Sequence, residues 1–262
     1  MTKRALYILM VVALLGCSGA DRDSLFFKAE ELLSHGRYED ALEHYARFVD
    51  LYPESEFAPK SQYMIGYILS HHLARPDEAM DSYAMVVNLY AESPYTVKAR
   101  EDMARLYSLR GDHRAAITQY DWLIKNGAKE KRPEYRYSTA LEYIKMNEFK
   151  QARVELEELL KDDASPDMTP RILYQIANTY YLEGNLEKAI SVYDRIIEEY
   201  QEHPVYIEAR LGKASVLEKQ GSLREALGLL TELEREYPDS DTVKIRINST
   251  RKRLKKAPGF SR

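Results

Sequence analysis

Apolar residues recur along this chain with two superposed periods, and the two together predict helices in pairs. Within short windows they fall at i, i+3 and i+4, which puts them on one stripe of a helix. Over longer distances the pattern restarts every 36 to 38 residues. The segments HGRYEDALEHY, RGDHRAAITQY, MNEFKQARVEL, EGNLEKAISVY and QGSLREALGLL share an order of positions. A small or turn-forming residue comes first, then an apolar or aromatic residue (His113 in one case), then alanine, then an apolar or aromatic residue four further on. With the variant LARPDEAMDSY, the marked alanines are Ala41, Ala79, Ala116, Ala152, Ala189 and Ala226, spaced by 38, 37, 36, 37 and 37 residues.

Each unit reads as two amphipathic helices around a tight turn. The first helix carries a small residue and, three later, an apolar one: Ala29 and Leu32, Ala104 and Tyr107, Ala140 and Tyr143, Ala177 and Tyr180, Ala214 and Leu217. Glycine at 36, 111, 184 and 221 is expected to end the first helix in a left-handed conformation, and Asn147 is the best substitute for it. The second unit has no such glycine; Pro76 takes its aromatic position, and a one-residue insertion is needed to bring Gly66 to the small position. Tyr52-Pro53 and Tyr237-Pro238 are expected to stop second helices. The stretch KNGAKEKRP, 125 to 133, interrupts the pattern and suggests a longer loop or hinge.

These small-residue, Gly-x-aromatic-x-x-Ala and terminal Pro positions resemble the tetratricopeptide (TPR) family over about 215 of the 262 residues. The resemblance implies an all-α superhelical solenoid of six helix-turn-helix repeats with a C-terminal capping helix. The corresponding organisation is a signal peptide over 1–16, a lipidated tether over 17–23, repeats 1–3 over 24–126, a linker or hinge over 127–133, repeats 4–6 over 134–238, and a capping helix and basic tail over 239–262.

The N-terminal assignment rests on the only cysteine. Lys3 and Arg4 precede eleven uncharged residues, Ala5 to Leu15, too few for a bilayer span. Leu14-Leu15-Gly16-Cys17 resembles the lipobox of bacterial lipoproteins, which implies that Cys17 is lipidated and becomes the new N-terminus. Ser18 stands where aspartate would retain such a protein at the inner membrane, so the resemblance implies the outer membrane and its periplasmic face.

Composition narrows the chemistry. Removing residues 1–16 leaves 36 basic and 42 acidic residues, and this mild acidity argues against nucleic acid as a partner. The six histidines form no His-x-x-x-His pair, the chain has no phosphate-cradling glycine loop, and Asp162, Asp163 and Asp167 lack the glycine and glutamate of a calcium loop. No catalytic residue, metal site, cofactor or small-molecule substrate is expected.

What stacked helices do offer is a concave surface lined by the first helix of each unit. Counting from each small position, the residues expected there are Phe26, Tyr63, Tyr67, Arg105, Tyr137, Tyr174, Asn178 and Tyr181. Family members that clamp a peptide carboxylate use a lysine and asparagine pair; Asn178 fits the asparagine, but Tyr174 occupies the lysine position. The tail has eight basic and no acidic residues from Lys244 to Arg262, among them Arg251, Lys252, Arg253, Lys255 and Lys256. Complementing the helix dipole is the simplest reading of those charges, and contact with an acidic partner or lipid phosphates is the other.

Lipobox, length and the repeat ends YPESEF and YPDSDT together resemble BamD-type lipoproteins of the outer-membrane β-barrel assembly machinery. The repeats alone equally resemble the C-terminal region of the TolA-binding coordinator of cell-envelope constriction. The first resemblance implies a non-catalytic, lipid-anchored scaffold that binds protein partners in outer-membrane protein assembly. The alternatives are a scaffold for cell-division coordination, polysaccharide export or pilus assembly, or a peptidoglycan- or lipid-associated binding protein.

Overall fold

A computed structural model describes residues 22–162, 164–238 and 240–256. Cys17 and the lipobox lie outside the described residues. The described chain is all-α and divides into two compact units at Gly127/Ala128. The first unit holds α1 (22–34), α2 (Tyr38–Leu51), α3 (Ala58–His71), α4 (Pro76–Leu89), α5 (Pro94–Arg110) and α6 (His113–Asn126). A 3-10 turn at Lys129–Lys131 opens the second unit, which holds α7 (Arg132–Lys145), α8 (Phe149–Asp162), α9 (Met168–Glu183), α10 (Leu186–Glu199), α11 (Val205–Gln220), α12 (Leu223–Glu236) and α13 (Asp241–Lys256). Among the described residues none of these helices is long and apolar enough to cross a membrane.

The helices pair as α1/α2, α3/α4 and α5/α6 in one unit and as α7/α8, α9/α10 and α11/α12 in the other, with α13 closing the series. Close approach within each pair depends on the marked alanines. All six are fully buried, as are Ala29, Ala104, Ala140, Ala177 and Ala214 on the first helices. In five of the six pairs the residue four after the marked alanine fills the space they leave. Tyr45, Tyr83, Leu156, Tyr193 and Leu230 are among the largest fully buried side chains. The three buried tyrosines still need a partner for their hydroxyls. Tyr45 donates to Glu30, Tyr83 meets Ser70 Oγ at 3.1 Å, and Tyr193 donates to Asn178 Oδ1 at 2.5 Å.

All six turns within pairs pass through one left-handed residue: Gly36, Ala74, Gly111, Asn147, Gly184 and Gly221. In five of them the amide of the residue after the left-handed one closes back on the carbonyl five residues earlier, as in Arg37 to Leu32 and Asn185 to Tyr180. The second turn differs. Arg75 N–H reaches back six residues, to Leu69, so the extra residue of that repeat is taken up at the end of α3, and Ala74 carries φ +52° without a glycine.

Connections between pairs use a recurring device. Tyr52, Tyr90, Tyr200 and Tyr237 each end a second helix with a backbone bond to the carbonyl four before. Three residues later a side chain caps the next segment: Ser55 Oγ accepts from Phe57 N–H, Ser93 Oγ from Tyr95 N–H, His203 Nδ1 from Val205 N–H and Ser240 Oγ from Val243 N–H, at 3.1–3.4 Å. His203 stands one residue before Pro204, the N-cap of α11, and holds the first amide of that helix. Its ring also stands 3.5 Å from Asp167.

The candidate partner-binding face

In the first unit α3 and α5, the first helices of consecutive pairs, lie side by side and share a strip of aromatic and polar side chains. Tyr63 sits mid-way along α3. Its hydroxyl donates to Asp102 Oδ2 on α5 at 3.0 Å, and its ring centroid lies 5.5 Å from that of Tyr95. Burial, reinforced by the Asp102 carboxylate, raises the Tyr63 hydroxyl well above its ordinary pKa. One turn further along α3, Tyr67 stacks on His71 with centroids 4.3 Å apart and meets the edge of His72 at 5.6 Å. His72 in turn stacks on Tyr38 of α2 at 3.9 Å. Arg105 on α5 closes the strip, donating to Asp102 Oδ1 and to His71 Nε2, both at 2.8 Å.

This geometry selects one form of His71. Nε2 can accept from the guanidinium only as a bare lone pair, so the ring proton belongs on Nδ1, which lies 3.1 Å from the Tyr67 carbonyl. Arg105 has two of its five donors engaged and remains exposed. The strip therefore presents aromatic faces for apolar contact together with free guanidinium donors for a carbonyl or carboxylate.

The expected binding residues separate by their register from the small residue of each first helix. Positions one beyond it, Tyr67, Arg105 and Asn178, are exposed or half-buried. Positions three before it are drawn inward, because i and i−3 share a stripe. Phe26 and Tyr137, expected on the open face, are core residues at 3% and 8% exposure. Phe26 stacks on Phe57 at 4.4 Å and packs on Phe48, and Tyr137 is buried among Leu156, Ile172 and Ile176 with Arg171 over its ring. Tyr63 and Tyr174 occupy the same register and are half-buried. In the second unit Asn178 Oδ1 accepts from the Tyr193 hydroxyl, and Tyr181 lies under Lys219 Nζ at 4.7 Å.

Sequence reasoning missed His71, His72, Tyr38, Tyr95 and Asp102. His71 was within reach of it, since it follows Tyr67 by four and so shares its face. Tyr38 and Tyr95 arrive from neighbouring helices, which no local period encodes. Among the described residues no three His, Cys, Asp or Glu side chains converge on a metal-binding geometry.

Models of the tetratricopeptide repeat match residues 27–95 and 137–204, and a second model of the same repeat matches 208–240. The chain belongs to the tetratricopeptide repeat family. No curated protein matches it significantly. Among solved structures, the C-terminal part of a TPR repeat-containing protein from Cytophaga hutchinsonii is 17% identical with a TM-score of 0.58, covering 80% of this chain and 78% of that one. Pseudomonas aeruginosa pilF is 14% identical with a TM-score of 0.54, over 87% and 97% of the two chains. YrrB, described as a TPR protein with an unusual peptide-binding site, is 14% identical with a TM-score of 0.52, over 78% and 97%. At these identities the likeness is one of fold. TPR stacks are suited to protein–protein interaction.

Proposed function

We propose that this TPR protein is a non-catalytic scaffold held to the periplasmic face of the outer membrane through lipidated Cys17, where it binds extended segments of protein partners in β-barrel assembly. The observation that carries the binding claim is the strip Tyr63–Tyr67–His71–Arg105, on which aromatic faces and guanidinium donors are open to a passing chain. Tyrosine supplies wide contact at low entropic cost, and arginine supplies directional hydrogen bonds to a peptide carbonyl or carboxylate. Supporting the address is the lipobox-like LLGC after a short apolar run. Residues 127–133, where the chain divides into its two units, are the proposed linker or hinge.

Crosslinking in native membranes, followed by mass spectrometry of what is captured, tests both parts. A β-barrel assembly subunit lost on Tyr67→Ala and Arg105→Ala is the expected result. Capture of constriction, export or pilus components would move the scaffold to another machinery, and capture unaffected by these substitutions would remove the strip from the binding claim. Cys17→Ala is expected to release the protein from the membrane fraction; sedimentation unchanged after a salt wash would defeat the anchor.

A further inference from the structure

Helix α13 has two unlike faces. Inward, Val243, Ile247 and Thr250 are buried, the first two in a cluster with Ala214, Leu230 and Leu233. Glu218 on α11 gathers the polar groups on this side. Arg246 donates to its Oε2 at 2.9 Å, Thr250 to its Oε1 at 2.5 Å, and Arg253 to its backbone carbonyl at 2.9 Å. Arg246 also donates to Ser215 Oγ at 2.9 Å. Two of the basic residues therefore serve the packing of the cap.

Outward, the other five remain. At about 100° per residue, Lys244, Arg251, Lys252, Lys255 and Lys256 fall within an arc of roughly 140°. Residues 251, 252, 255 and 256 are exposed, Lys244 is half-buried, and none of the five has an ion-pair partner among the described residues. Ile245 lies on the same arc at 68% exposure. The helix's one carboxylate, Asp241, is in the first turn, about 15 Å along the axis from Arg251. The helix dipole accounts for cations in the last turn only, which leaves Lys244, Arg251 and Lys252 without that explanation.

We propose that this outer face of α13 docks on an anionic lipid surface, with the five cations meeting headgroup phosphates and Ile245 entering the interfacial layer. Four of the five are lysines, compact charges on flexible stems that adapt to a mobile array of phosphates better than planar guanidinium forks do. An exposed apolar residue among basic ones suits the boundary between headgroups and acyl chains. The proposal rests on α13 alone and stands whether or not Cys17 carries a lipid.

The test is amine-reactive footprinting of the full chain on phosphatidylcholine vesicles, with and without phosphatidylglycerol. Each cation near an anionic leaflet adds a factor of about five in attraction. Labelling of Lys244, Lys252, Lys255 and Lys256 is therefore expected to fall about tenfold or more on the anionic vesicles, and to recover in high salt, while Lys150 on α8 is unchanged. In the variant Arg251→Gln/Lys252→Gln/Lys255→Gln/Lys256→Gln the protection of Lys244 is lost, whereas Arg253→Gln, which removes a charge from the packed side, keeps it. Equal labelling on the two vesicle types overturns the proposal, as does protection that an acidic protein confers and anionic vesicles do not.

Discussion

Gly66 and Gly228 are both helical glycines, and their surroundings assign opposite signs to one substitution. A Cβ on Gly66 would stand 2.6 Å from the ring of Tyr83, a fully buried residue with no room to retreat, whereas one on Gly228 would meet nothing within 4 Å. Gly66→Ala is expected to cost about 1–3 kcal/mol through overpacking, and Gly228→Ala to stabilise by about 0.5–1 kcal/mol through reduced backbone entropy of the unfolded chain. Chemical denaturation of the two variants checks both signs. Ala74 is the reverse case. It holds φ +52° where the equivalent turns use glycine or asparagine, so Ala74→Gly is expected to gain about 0.5–1 kcal/mol and raise the melting temperature. The need for Gly66 at a small position was legible in the repeat alignment. The strained alanine was not, because an insertion can be absorbed at several points of a turn and the hydrogen bonds decide which.

At the scale of elements, the capping helix follows from the requirement that a stack must end. Leu230 and Leu233 on α12 would face water without Val243 and Ile247. Ile247→Ala removes a side chain that is 1% exposed and is expected to cost about 2–4 kcal/mol. Hydrogen exchange should rise in α11 and α12 of that variant before it rises in α7 and α8, since only the former are in contact with α13 or its neighbour. A uniform rise across the second unit would show that the cap stabilises it as a whole. Helix pairs, their order and the cap were readable from the 37-residue period. Which side of each first helix is open was read only in part, because Phe26 and Tyr137 look like binding aromatics until neighbouring helices close over them.

For the molecule as a whole, several buried tyrosines make stability fall at high pH. Burial raises Tyr45, Tyr63, Tyr83 and Tyr193 well above the ordinary tyrosine value near 10, with the Glu30 carboxylate adding to the effect at Tyr45 and Asp102 at Tyr63. In the unfolded chain these hydroxyls lose their protons near pH 10; in the folded chain they keep them. The unfolded state thus binds fewer protons, and stability, complete below pH 10, declines as the pH rises beyond it. Absorbance at the tyrosinate band is expected to show these four ionising only with a cooperative loss of helix. Smooth titration of all 21 tyrosines with helicity retained would contradict this.

Period, small residues and turn residues sufficed to determine an all-α repeat architecture, the six helix pairs and the alanines at which they touch, because each is set by contacts within one helix pair. Tertiary structure alone decided which aromatics are core and which are surface, how Tyr38, His72, Tyr67, His71 and Arg105 come together across three helices, and that Arg253 serves the packing of α13 while its neighbours do not. Those outcomes depend on contacts between one helix pair and the next, such as Tyr38 with His72, His71 with Arg105 and Glu218 with Arg253, which no period within a pair encodes.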